Sequence, residues 1–170
     1  MKKLTALVLA LMFLLVFAGC GDSQNDDATK SLAPDLFVYD ESGSQMRLSQ
    51  LKGKPVVLNF WASWCEPCKA EMSGFQEAYE KYGDQIHFVM VNMTDGEQET
   101  METARGYIDD QGYTFPVYYD SSSLAAIFYG IQSIPATFFI DAEGYMVTYA
   151  NTMISAEQLQ MGIDMILPQD

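Results

Sequence analysis

Residues 56–68 read Val-Val-Leu-Asn-Phe-Trp-Ala-Ser-Trp-Cys-Glu-Pro-Cys, and two kinds of information meet in them. Val56 to Trp61 is a short apolar run broken only at Asn59, which is how a strand covered on both faces reads. Directly after it, Glu66 to Lys81 carries Met72, Phe75, Tyr79 and Tyr82 at spacings that line one helix face, and Gly83 supplies the stop. A CxxC pair at the junction of a buried strand and a helix is the setting in which two cysteines carry redox chemistry.

The chemistry follows from that placement. At a helix N-terminus a cysteine meets unpaired backbone N–H groups and the positive end of the dipole, which stabilise its thiolate, so Cys65 is the expected nucleophile. Cys68 lies one turn further in, within reach of a mixed disulfide on Cys65, and is the expected resolving thiol. A zinc site would need four ligands, and only His87 is present besides the pair, so no metal is expected. A purely structural bridge is open as an alternative, although so short a loop restricts little chain entropy. Glu66, the one carboxylate inside the motif, has two readings of equal physical standing: a proton relay, or a charge that complements the helix dipole. Trp61 is expected in the core beneath the pair, and Trp64 as an exposed platform for a partner.

Working outward, Leu36–Tyr39 and Met46–Leu48 flank Asp40-Glu41-Ser42-Gly43 as an N-terminal hairpin. Ile86–Met93 reads as a second buried strand, Glu97–Gln111 as a helix ended by Gly112, Phe115–Tyr119 as a strand, and Ser121–Tyr129 as a helix ended by Gly130. Thr137–Ile140 and Tyr145–Tyr149 form a second hairpin around Asp141-Ala142-Glu143-Gly144. Ser155–Leu167 closes the chain as a helix, with capping-box spacing from Ser155 to Gln158 and an apolar stripe of Leu159, Ile163 and Ile166. The alternation predicts one α/β domain over residues 34–168.

The N-terminus has a different texture. Lys2-Lys3, the apolar run Leu4 to Phe17 and Ala18-Gly19-Cys20 have the layout of a secretory signal over residues 1–19, too short to be a comfortable membrane span. Gly21 to Ala33 is polar and aperiodic, so residues 20–33 read as a cysteine followed by a flexible tether. The whole chain has 9 Lys plus Arg against 23 Asp plus Glu, a formal charge of −14, and the two signal lysines mask a still more acidic remainder. Such a chain repels a phosphate backbone, which excludes nucleic acid as a partner. The lone His87 and the scattered methionines suggest no ligand set; gap-filling in the core accounts for the methionines.

Phe17-Ala18-Gly19-Cys20 resembles the bacterial lipobox, departing from it at Phe17 where an aliphatic residue is usual. That resemblance implies a diacylglycerol on Cys20, which becomes the first mature residue. VVLNFWASWCEPC at 56–68, LSQLKGKP at 48–55 and IPATFFIDAEG at 134–144 resemble the thioredoxin superfamily and, within it, the membrane-tethered TlpA/ResA-like thiol-disulfide oxidoreductases. The resemblance implies the thioredoxin fold, with an N-terminal hairpin and a helix-strand insertion near residues 97–119. It implies that Pro135 is cis and faces the CxxC, and that Trp64, Pro67 and Ile134 meet the client, Ile134 through main-chain strand addition. Asn59 stands where many cytoplasmic thioredoxins carry a buried Asp that assists proton transfer; Asn cannot titrate, so the role is absent or taken elsewhere. The implied activity is disulfide reduction at the extracytoplasmic face of the bacterial membrane, without a cofactor. Electrons would come from a transmembrane thiol carrier of the CcdA or DsbD type and pass to exported clients such as apocytochrome c or a methionine sulfoxide reductase. The alternatives are a disulfide oxidase or isomerase, a thiol peroxidase, whose Pro and Thr or Ser are missing before Cys65, and a non-catalytic binding lipoprotein.

Overall fold

Strand β4 (Val56–Trp61) is buried at every residue and lies inside the sheet. In the computed structural model, which describes residues 31–168, it pairs in parallel with β5 (His87–Asn92) and antiparallel with β7 (Ala136–Ile140). The signal at 1–19, Cys20 and the tether up to residue 30 lie outside the described residues. The remaining strands are β1 (Ser31–Leu32), β2 (Phe37–Tyr39), β3 (Gln45–Arg47), β6 (Val117–Tyr119) and β8 (Tyr145–Ala150), and the sheet order is β1-β8-β7-β4-β5-β6-β2-β3. Helices α1 (Glu66–Tyr82), α2 (Met101–Gln111), α3 (Leu124–Phe128) and α4 (Ala156–Ile166) complete the mixed α/β domain, with a 3-10 turn at Leu48–Leu51.

Alternation along β4 divides the core. Val57 and Trp61 join Phe139 of β7 on the face covered by α1, α2 and α4, where Met72, Phe75, Ala104, Ile108, Leu159 and Ile163 pack. Val56, Leu58 and Phe60 point the other way, to Phe138 and Ile140, Leu36 and Val38 of the N-terminal segment, and Ala125 of α3. Asn59 shares the parity of Val57 and Trp61, so the one polar residue of the strand is delivered to α1.

Several boundaries differ from those read off the sequence, each for a local reason. Ser31 and Leu32, assigned to the tether, pair with Met146 and Tyr145 of β8, because β8 would otherwise leave its edge groups unpaired there. The helix expected from Glu97 starts at Met101: Thr100 caps it with its side chain, and residues 95–99 form a turn on the Asp95 carboxylate instead. The helix expected over 121–129 is only Leu124–Phe128, its first N–H groups taken by the buried Asp120 carboxylate through Ala125 and Ala126. Leu48 leaves the hairpin to open the 3-10 turn, and Phe115 and Pro116 precede β6, where proline has no ladder N–H to give. At the C-terminal helix the Ser155–Gln158 capping box forms as its spacing suggested. The methionines divide: Met72 and Met90 fill the core, whereas Met153, Met161 and Met165 are exposed, so gap-filling explains only some of them.

Candidate active site

The β4–α1 junction places Cys65 as the N-cap of α1. Its backbone is extended, and its sulfur takes the place of the usual Ser or Asp oxygen, accepting the Cys68 amide N–H at 3.2 Å. Pro67 follows in the first turn, where a missing N–H costs nothing. Cys65 and Cys68 are joined as a disulfide with Cα atoms 5.2 Å apart, and both are buried. Next to Cys65 in the chain, Trp64 is 48% exposed and offers a large apolar surface, while Trp61 is wholly buried.

The loop before β7 closes the other side. The Ile134–Pro135 peptide is cis, as the resemblance implies, and the Ile134 carbonyl oxygen lies 3.7 Å from Cys65 Sγ. Pro135 is buried, Ile134 half-buried and Ser133 exposed, so main chain next to the outer cysteine is reachable by an extended segment.

Glu66 turns away from this geometry. Its side chain is 80% exposed and pairs with Lys69 one turn on, at the dipole's positive end. The carboxyl group that does lie under the site is Glu71, which the sequence reading did not single out. Cys68, Glu71, Met72 and Phe75 share the buried side of α1. Glu71 Oε1 accepts from Asn59 Nδ2 at 3.0 Å and Oε2 from the Ile154 N–H at 3.0 Å, while Asn59 Nδ2 also donates to Thr137 Oγ1 at 3.0 Å. Burial pushes Glu71 up to about 7 from the 4.5 of a free side chain, against the two hydrogen bonds that favour its charged form. A signal for Glu71 is present in the sequence: an acid on the stripe 68, 71, 72, 75, facing a strand whose one polar residue is Asn59.

The other singled-out groups stand elsewhere. His87 opens β5 opposite Val56, five strand residues or about 17 Å from the Trp61–Asn92 end that leads to the cysteines. Its pKa is lowered, first by burial and then by Lys54. Among the described residues no group of three or more His, Cys, Asp or Glu is arranged to hold a metal ion.

The AhpC/TSA family profile matches residues 29–149. The thiol-disulfide oxidoreductase ResA of Oceanobacillus iheyensis is 32% identical, over 97% of this chain and 88% of that protein. Among solved structures, StoA of Bacillus subtilis is 28% identical with a TM-score of 0.66, over 78% of this chain and 98% of that one. The pneumococcal exposed lipoprotein thioredoxin of Streptococcus pneumoniae is 30% identical with a TM-score of 0.66, over 76% of this chain and 98% of that one. The expected thioredoxin fold is thus the observed one, and the matches extend over the cysteine junction and the cis-proline loop.

Proposed function

The chain belongs to the AhpC/TSA family and is a thiol-disulfide oxidoreductase of the ResA type; from that premise we propose that it is a disulfide reductase working outside the cytoplasm. The observation that carries the exchange chemistry is the buried Glu71 on the same face of α1 as Cys68, a base placed to take or return the resolving thiol's proton, while the reduction potential of the pair decides the direction.

In the reducing cycle the Cys65 thiolate attacks one sulfur of a client disulfide, and the client's other sulfur leaves as a thiolate. Cys68 then gives its proton to Glu71 and attacks Cys65 Sγ. The Cys65–client bond breaks, the second client sulfur leaves reduced, and the pair closes to the disulfide described above. Ile134 holds the client segment by main-chain pairing, and Trp64 and Pro67 line its path. Glu66, exposed and paired with Lys69, sets surface charge beside the cysteines.

The N-terminal reading completes the proposal. Residues 1–19 are a lipoprotein signal, Cys20 carries the lipid, and residues 21–30 tether the domain to the outer face of the membrane, where multiple acyl chains suffice for anchoring. The exposed lipoprotein relative supports this arrangement. No helix among the described residues is long and apolar enough to cross a membrane. Electrons come from a transmembrane thiol carrier of the CcdA or DsbD type, and the clients are exported proteins with disulfides.

The test replaces Cys68 with Ser in the full chain, expressed in its host. The expected result is mixed disulfides on Cys65 with exported clients, together with a reduction potential of the unmodified pair in the reducing range. A potential near about −120 mV, that of a strong oxidant, would assign the opposite direction.

A further inference from the structure

The β5–α2 connection ends in a carboxyl group that the exchange chemistry does not use. Asp95 Oδ1 accepts from the N–H groups of Glu97 at 2.8 Å and Glu99 at 2.9 Å, and the Glu99 carbonyl accepts from Asp95 and Gly96 at 3.0 Å each. This wrapped turn sends the Glu99 side chain inward, where it is fully buried. There Oε1 accepts from the Ser63 N–H at 2.9 Å and from Asn92 Nδ2 at 2.6 Å, and Oε2 accepts from the Ser63 hydroxyl at 2.7 Å. Asn92 is held in turn by Thr94, whose hydroxyl donates to its Oδ1 at 2.8 Å.

Ser63 precedes Cys65 by two residues, and Asn92 ends β5 beside Trp61, the last residue of β4. We propose that Glu99 is a positioning residue for Cys65, tying the loop that carries Trp64 and the attacking sulfur to the fixed end of the neighbouring strand. A carboxylate suits this task because it offers only acceptors to the donors that converge on it. Without it the loop keeps the Cys65 N–H to Ala62 carbonyl bond at 3.1 Å, and Ser63 and Asn92 lose their shared partner. Displacement of a reacting atom by about 1 Å costs up to about a hundredfold in rate, so a loosened loop acts on turnover more than on client affinity.

The proposal rests on the reading of Cys65 as the attacking thiol, and the experiment separates the two. Full-length protein is assayed for reduction of a synthetic peptide containing one disulfide, with excess dithiothreitol re-reducing the Cys65–Cys68 pair after each turnover and the uncatalysed rate subtracted, and kcat and KM are measured apart. Glu99→Ala is expected to lower kcat about tenfold with KM within about twofold. Glu99→Gln, whose Oε1 still serves the Ser63 N–H and Asn92 and whose Nε2 can donate to the Ser63 oxygen, is expected to restore kcat to within about twofold. Ser63→Ala, which removes one bond and little volume, is expected to lower kcat about threefold. Wild-type kcat in Glu99→Ala, or equal losses in the Ala and Gln variants, would overturn the positioning role. If Glu99→Ala does not fold, wild-type kcat in Ser63→Ala overturns it. An unmodified chain that fails to reduce the peptide would overturn the exchange reading itself.

Discussion

Glu71 links stability to catalysis at a single side chain. Because its folded affinity lies near 7 and its unfolded one near 4.5, the folded state keeps a proton that the unfolded state gives up between those pH values. Stability therefore falls as pH rises through that window, by up to about 3 kcal/mol for a displacement of this size, and the loss is complete above 7. Glu71→Gln removes the buried charge while its carbonyl still accepts from Ile154. Its stability should change less than that of the unmodified protein between about pH 4 and about pH 8, as measured by urea unfolding of the oxidised proteins. The same substitution should slow resolution of the mixed disulfide on Cys65 about a hundredfold, so that this species accumulates in rapid-quench samples. An equal pH response in both proteins would locate the titration elsewhere. Cys65 and Cys68 are legible in the sequence because the CxxC motif marks them locally, whereas Ile134 and Pro135 are legible only through the resemblance to a known family. Glu71 and Glu99 are harder to see, since each acts through partners distant in sequence: Ile154 lies 83 residues from Glu71, and Ser63 36 residues from Glu99.

At the scale of elements, two helical glycines show when packing overrides propensity. Gly162 of α4 lies against Phe139 of β7, and a Cβ there would sit 2.3 Å from ring carbons. Gly162→Ala should destabilise by about 1–3 kcal/mol despite the better helix propensity of alanine, because the ring, α4 and the strand must all give way. Gly106 of α2 is exposed, and a Cβ there meets nothing within 4 Å. Gly106→Ala should stabilise by about 0.5–1 kcal/mol, so the two substitutions should shift the urea midpoint in opposite directions. A raised midpoint in Gly162→Ala would mean that α4 is not packed as described, and a lowered one in Gly106→Ala that the α2 site is not open. The β4, α1 and α4 boundaries were legible because apolar pattern and caps coincide there. The start of α2 was not, because Glu97 and Glu99 look like first-turn acids, whereas Asp95 captures their N–H groups and Glu99 goes to Ser63. The shortness of α3 was equally hidden, since Asp120 caps it from within the chain's own core.

For the whole molecule, local signals say that strands and helices alternate, but not that β2 lies beside β6 or that Ser31–Leu32 completes the far edge. Those neighbours are set by pairing between distant segments, which no local pattern in the sequence reports, and the resemblance to a known fold foretold the fold class without the strand order. Charge, by contrast, is fully legible: −14 over the chain, with 23 acidic residues. A field of that sign should steer encounters with basic client segments and oppose acidic ones, most strongly when salt is low. With two disulfide peptides of equal length, one lysine-rich and one glutamate-rich, raising salt from about 0.01 M to about 0.5 M should slow exchange with the first and speed it with the second. The effect should appear in kcat/KM, because it acts on encounter, and should leave kcat unchanged because the thiol chemistry is local. Parallel responses of both peptides would mean that the short-range apolar and main-chain groups at Trp64 and Ile134, not the molecular charge, govern which disulfides reach the cysteine pair.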